Sequence, residues 1–258
     1  MQTKDTQDEE PLSLVDAHAH LDEVPKVTEA LEAAREKGVK AVVGVGMDME
    51  SNLRILELAR VYAGFVFAAV GIHPWKVNPV TAQRDMDFVA DHISLCVAIG
   101  EIGLDYKIKV EKSVQKRILE KLLFLAHDHD KPVITHSRLS HQRTLDMVIE
   151  AGVRKAIFHW YSGPLDLIER IVEHGYLISA TPALAYSPPH QAAIKEIPLE
   201  NLVLETDCPV RYGSLESRPE HTFVTLDLVA RLRDVDRRTV AMVTTHNAER
   251  FFGFAVTG

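Results

Sequence analysis

The chain has 258 residues, 46% of them hydrophobic, and a formal net charge of −8. That is enough apolar material for one large domain or two small ones. The acidic balance excludes a broad basic surface for non-specific nucleic-acid binding and leaves room only for a local basic pocket.

The opening segment, "MQTKDTQDEEPLS", lacks the basic region and apolar stretch of a signal peptide. Residues 1–11 are expected to form a solvated, disordered tail, with the fold occupying 12–258. The longest uncharged apolar run, Val61–Ile72, is too short to cross a bilayer as a helix. With only two cysteines, Cys96 and Cys208, placed at opposite ends of predicted strands, no disulfide is expected. A cytoplasmic location follows as an expectation, with no membrane and no obligatory protein partner.

Short apolar, β-branched runs follow one another along the chain: "LSLVDAHAHL", "KAVVGVG", "FVFAAVGIHP", "CVAIGEIGLD", "PVITHSR", "KAIFHWYSG", "YLISATPA" and "NLVLETDCP". Several are apolar on both faces, as parallel strands covered on both sides must be. Helical stretches lie between them, among them Lys26–Lys37, Ser51–Tyr62, Glu111–His127 and Leu165–His174, and Gly38, Gly152 and Gly175 stand where helices end. Eight strand–helix units, starting about 25–30 residues apart, predict an α/β fold, a (β/α)8 TIM barrel in one domain. A doubly wound open sheet would carry a Gly-rich phosphate turn after its first strand. "DAHAHLDEVP" is unlike one.

Ionisable residues gather at the C-terminal ends of these strands. The first ends with His18 and His20, the third with His73, the fourth with Glu101, the fifth with His136, the sixth with His159 and the eighth with Asp207. In a barrel these ends form one rim, where catalytic groups sit. His127 and His129 share the i, i+2 spacing of a metal pair, but they fall at a helix end before the fifth strand, at the opposite mouth. They read as a solvated terminus favourable to the helix dipole. His92, His141, His174, His190, His221 and His246 fall in or beside helical stretches and are assigned structural roles.

Four imidazoles and two carboxylates packed together repel or stay unsatisfied without a cation, and become ligands with one. One tetrahedral zinc takes about four ligands. Six suit two divalent cations roughly 3.5–4 Å apart, sharing a bridging carboxylate and a water. Glu101 is the expected bridge. His18, His20 and Asp207 are expected on one ion, and His136 and His159 on the other. Strand alternation puts Asp16 on the face of His18 and His20, where it either orients one of them or makes a strand-end hydrogen bond.

Such a pair activates water for a displacement reaction, with Asp207 as ligand and general base. His73 and Arg138 are candidate substrate-binding residues for an anion, Arg being suited to phosphate. Arg211 and Arg218 lie in the loop after the eighth strand, either solvated or on phosphates. Cys208 lacks a base placed to activate it and is set aside as a nucleophile.

The blocks "DAHAHLD", "GIHPW", "IGEIGLDY", "THSR", "FHWYSG" and "ETDCP", in this order, with "TTHNAERFFG" near the end, resemble the TatD family of metal-dependent hydrolases from about Val15 to Gly253. The resemblance implies a (β/α)8 barrel with a divalent metal centre and phosphodiester hydrolysis, typically of DNA. It implies His18, His20, Glu101, His136, His159 and Asp207 as metal residues, with Glu101 shared. The chain departs from the pattern at Trp75, where a second histidine is usual, at Leu139 and Ser140 after "THSR", and in the loop "ESRPEH". These are rim positions and bear on substrate preference. The expected function is therefore a metal-dependent phosphodiesterase or deoxyribonuclease with DNA as partner. The alternatives are a zinc amidohydrolase acting on a cyclic amide, lactone or ester, and a non-catalytic metal-binding protein.

Overall fold

The computed structural model describes residues 12–256; the expected N-terminal tail lies outside the described residues. Eight parallel strands run in sequential order through one sheet: β1 (Leu14–Ala19), β2 (Val39–Val45), β3 (Val66–Val70), β4 (Ala98–Asp105), β5 (Val133–Arg138), β6 (Ala156–Phe158), β7 (Leu177–Ala180) and β8 (Leu202–Leu204). Helices cover the outside: α1 (Val27–Lys37), α2 (Met49–Val61), α3 (Ala82–His92), α4 (Lys112–Asp128), α5 (His141–Glu150), α6 (Asp166–Glu173), α7 (Pro188–Glu196), α8 (Thr222–Arg233) and α9 (Arg237–Phe252). A small hairpin, β9 (Arg211–Tyr212) with β10 (Leu215–Glu216), decorates the connection from β8 to α8. This is the expected (β/α)8 barrel.

The lumen is filled by small and β-branched side chains, among them Val15, Ala17, Val43, Ala69, Ile134, Ile157 and Val203. Phe251 and Phe252 of α9 pack into the same cluster. These rings extend the apolar cluster of the lumen.

Helix boundaries follow local chemistry. α2 begins at Met49, ahead of the expected Ser51, because Asp48 accepts from the Ser51 N–H at 3.0 Å and Ser51 Oγ accepts from the Asp48 N–H at 2.9 Å. α1 ends at Gly38, where φ is +105° and a Cβ would lie 2.6 Å from the Leu12 carbonyl oxygen. Only glycine fits there.

β8 is shorter than the expected run through Asp207. Beyond Leu204 the backbone leaves the ladder: Thr206 donates its N–H to Asp16 Oδ1 at 2.9 Å and its hydroxyl to Oδ2 at 2.6 Å. The Asp207 N–H bonds the His18 carbonyl at 3.0 Å, and the His20 N–H bonds the Cys208 carbonyl at 2.8 Å. These contacts stitch the last strand to the first. No described helix is long and apolar enough to cross a membrane.

Candidate metal centre

Two irregularities aim the site. In β1, Val15 and Ala17 pack in the lumen whereas Leu14 and Ala19 pack in the outer layer. The alternation therefore breaks between Ala17 and Ala19, where the ladder to β2 shifts register. The expectation that Asp16 shares a face with His18 and His20 is corrected: Asp16 lies between two lumen residues and turns to Thr206. Of its two anticipated roles, the structure shows the strand-end hydrogen bond. Burial pushes its carboxyl up to about 8, offset in part by the Thr206 bonds. β4 shifts register between Ile99 and Ile102, where Glu101 leaves the ladder to enter the mouth. Such irregularities re-aim side chains beside sites.

Glu101 is fully enclosed and stands between two groups of donors. Its Oε2 lies 3.5 Å from His18 Nε2 and 3.4 Å from His20 Nε2. Asp207 Oδ1 completes that group, 3.4 Å from each of the same two nitrogens. Glu101 Oε1 lies 3.0 Å from His136 Nδ1 and 3.0 Å from His159 Nε2. The two oxygens of one carboxylate thus face separate sets. All six sequence-derived candidates converge here.

His73 was expected at the rim. It lines the cleft there while being almost wholly buried, with Nε2 3.4 Å from Glu101 Oε1. Its Nδ1 accepts the Trp75 N–H at 3.2 Å, which puts the ring proton on Nε2 and makes that atom a donor to Glu101. Arg138 is exposed and lines the cleft above the donors, whose volume is about 630 Å³. Arg211 and Arg218 pair with Glu216 and Glu220 and are not among the cleft residues. His127 and His129 are exposed at the end of α4, away from the site.

Three functional neighbours escaped the sequence. Glu205 is wholly buried and its Oε1 lies 3.2 Å from His159 Nδ1. Asp105 Oδ2 accepts the Trp75 indole N–H at 2.6 Å and lies 3.4 Å from His136 Nε2. Lys76 lines the cleft and pairs with Asp48 at 3.0 Å. The signals present were faint: an acid two residues before Asp207 and another closing the "GLD" block.

The donor set fits a cation. His18 and His20 present their Nε2 atoms to each other at 3.3 Å inside a buried pocket, and neither Nδ1 has a hydrogen-bond partner. Burial opposes charge on His20, yet Asp207 and Glu101 raise it to about 10. Burial likewise opposes His159, and Glu101 and Glu205 drive it well above the ordinary histidine value. Despite burial, the histidines around Glu101 and Asp207 hold both carboxyls well below the usual range. The enclosed acids demand positive charge, which a divalent ion supplies directly. Cys208 is buried and its thiol pushed well up by that burial, so it offers no thiolate.

The family profile described as "TatD related DNase" matches residues 15–253. The chain belongs to the TatD family. It is 29% identical to human (Homo sapiens) "Deoxyribonuclease TATDN3", covering 93% of this chain and 95% of that protein. It is 28% identical to the Bacillus subtilis "Uncharacterized metal-dependent hydrolase YabD", over 93% and 98% of the two chains. Among solved structures, the TatD homologue YjjV of Escherichia coli superposes with a TM-score of 0.85 at 28% identity, over 94% of this chain and 98% of that one. The positions where this TatD member departs from the family pattern, Trp75 among them, lie on the cleft wall and in the loops after β5 and β8.

Proposed function

We propose that the protein is a metal-dependent hydrolase of the nuclease type that cleaves phosphodiester bonds of DNA. The observation that carries this is the division of Glu101 between two donor sets, supported by membership of the TatD family and by relatives named deoxyribonuclease and metal-dependent hydrolase. His18, His20 and Asp207 would hold one divalent cation and His136 and His159 the other, with Glu101 common to both. Four imidazoles favour Zn or another transition ion over Mg. When bound, such ions lower the pKa of water and polarise phosphoryl oxygens.

The protein's own groups supply the rest. Asp207, ionised at neutral pH, accepts the proton of the attacking water at its carboxylate. His73 donates from Nε2 to Glu101 and keeps that carboxylate oriented. Arg138 and Lys76, on the cleft wall, draw in the phosphate backbone. A zinc amidohydrolase is less well supported, because a carboxylated lysine is the usual bridge there and here Glu101 stands between the two donor sets. The two free, buried thiols suit a cytoplasmic location.

The test is cleavage of single- and double-stranded DNA by protein stripped with a chelator and then reloaded with Zn, Mn or Mg. Metal-restored cleavage, absent in His18→Ala, is the expected result. A fully reloaded sample inert on every phosphodiester but active on amides or lactones would reverse the assignment.

A further inference from the structure

Trp75 stands out among the exposed large apolar side chains. It is 51% exposed, and of the described residues in that class it is the one that lines the cleft. Its position is fixed on several sides. It sits in the turn Pro74–Lys76, its indole N–H is held by Asp105, and its ring meets His73 edge-on at 4.8 Å and 83°. The single polar atom of the side chain is therefore satisfied, and what remains open is a rigid apolar face. The ring centroid lies 5.9 Å from that of His136. Trp160, the other tryptophan, is half-buried and its ring leans on Tyr212 at 5.4 Å.

A nucleotide carries a flat base one sugar away from its phosphate. With the phosphate over the donors around Glu101, an aromatic face beside His136 is where such a base would lie. We propose that Trp75 is the nucleobase platform of this cleft, stacking on the base next to the scissile phosphate, with Asp105 as its anchor. The proposal rests on the phosphodiesterase reading and names a specificity determinant for it. Stacking accepts any base, because every base has a π-face. Lys76, one residue on, adds a charge for the neighbouring phosphate. The purely structural reading is that Trp75 serves only to occupy Asp105.

The experiment compares a short single strand carrying a normal base beside the scissile bond with one carrying an abasic tetrahydrofuran there. It uses the metal-loaded wild type, Trp75→Leu and Trp75→Phe. Trp75→Leu is expected to lower kcat/KM about tenfold on the base-bearing strand and little on the abasic one. Trp75→Phe, which keeps a ring but releases Asp105, should retain most of the discrimination. Equal falls on both strands in both variants would overturn the proposal and leave the phosphodiesterase reading standing. If the wild type cleaves neither strand, quenching of tryptophan emission decides. dAMP, compared with deoxyribose 5-phosphate, should quench the wild type and lose most of that effect in Trp75→Leu; quenching unchanged by the substitution would overturn the platform.

Discussion

Glu205 and His159 meet at the ends of β8 and β6, with the carboxylate Oε1 3.2 Å from the ring Nδ1 and both side chains almost wholly enclosed. The same oxygen accepts the Trp160 N–H at 3.2 Å. With a cation held between His159 Nε2 and Glu101, an acceptor at Nδ1 would fix the neutral tautomer whose Nε2 lone pair faces that cation. Glu205→Leu should therefore weaken divalent-metal binding on the order of 10–100-fold. Glu205→Gln, whose amide oxygen still accepts, should lose less. Calorimetric titration of chelator-stripped protein with Zn or Mn reads this directly, and an unchanged affinity in Glu205→Leu would remove the tautomer role.

Asp207 has φ of +47°, in the left-handed region that asparagine tolerates better than most residues. Asp207→Asn should fold normally while losing its proton acceptor. The expected drop in kcat on DNA is about 10²–10⁴-fold, with a far-ultraviolet circular dichroism spectrum that matches the wild type. Near-normal turnover would place the base elsewhere.

Asn52 is buried at 1% exposure and clamps the end of β3, donating Nδ2–H to the Gly71 carbonyl at 2.8 Å and accepting the Gly71 N–H at 3.0 Å. A Cβ on Gly46 would sit 2.1 Å from Asn52 Oδ1, and the Gly46 carbonyl receives the Glu101 N–H at 3.0 Å. Asn52→Ala orphans two buried backbone groups, at roughly 1–3 kcal/mol each. Gly46→Ala displaces the same clamp. Denaturant unfolding should show both variants destabilised and the double variant little worse than either, because they act on one network. Additive losses would mean the two act separately.

His190 is fully buried, with Nδ1 2.7 Å from the Tyr161 carbonyl oxygen and Nε2 accepting the Thr181 N–H at 3.2 Å. These partners require the neutral ring, and burial lowers its pKa to about 4 from 6.5. Above pH 6.5 neither folded nor unfolded chain is charged here. Between 6.5 and about 4 only the unfolded chain takes the proton, so stability is lost as pH falls through that window, on the order of 1 kcal/mol per unit. His190→Gln should be less stable at pH 7 but flatter between pH 6.5 and 5. Urea melts in the presence of a chelator give both profiles, and parallel curves would exclude His190 as a source of the acid sensitivity.

Much of this architecture is legible along the chain, for a physical reason. Parallel strands covered on both faces must be apolar, so His18, Glu101 or His159 at a strand end stands out against Val, Ile and Ala. Helix ends at Gly38 and Gly175 show because few other residues adopt their backbone angles. The register shifts in β1 and β4 left no such mark, since they depend on the partner strand; the face of Asp16 was misjudged for that reason. Glu205, Asp105 and Lys76 act through partners far away in sequence, and hydrogen bonds between distant strands have no period. His73 was visible as a histidine, but the bond that places its proton comes from the turn that follows it.

The bonds joining Asp16, His18 and His20 to Thr206, Asp207 and Cys208 link a segment near the start of the polypeptide to one made much later. Translation delivers the first long before the second exists. No nascent chain that ends before residue 207 contains the acid that completes the His18–His20 pocket. The His18–His20 pocket therefore gains its carboxylate only once the segment after β8 has been made and has docked against β1.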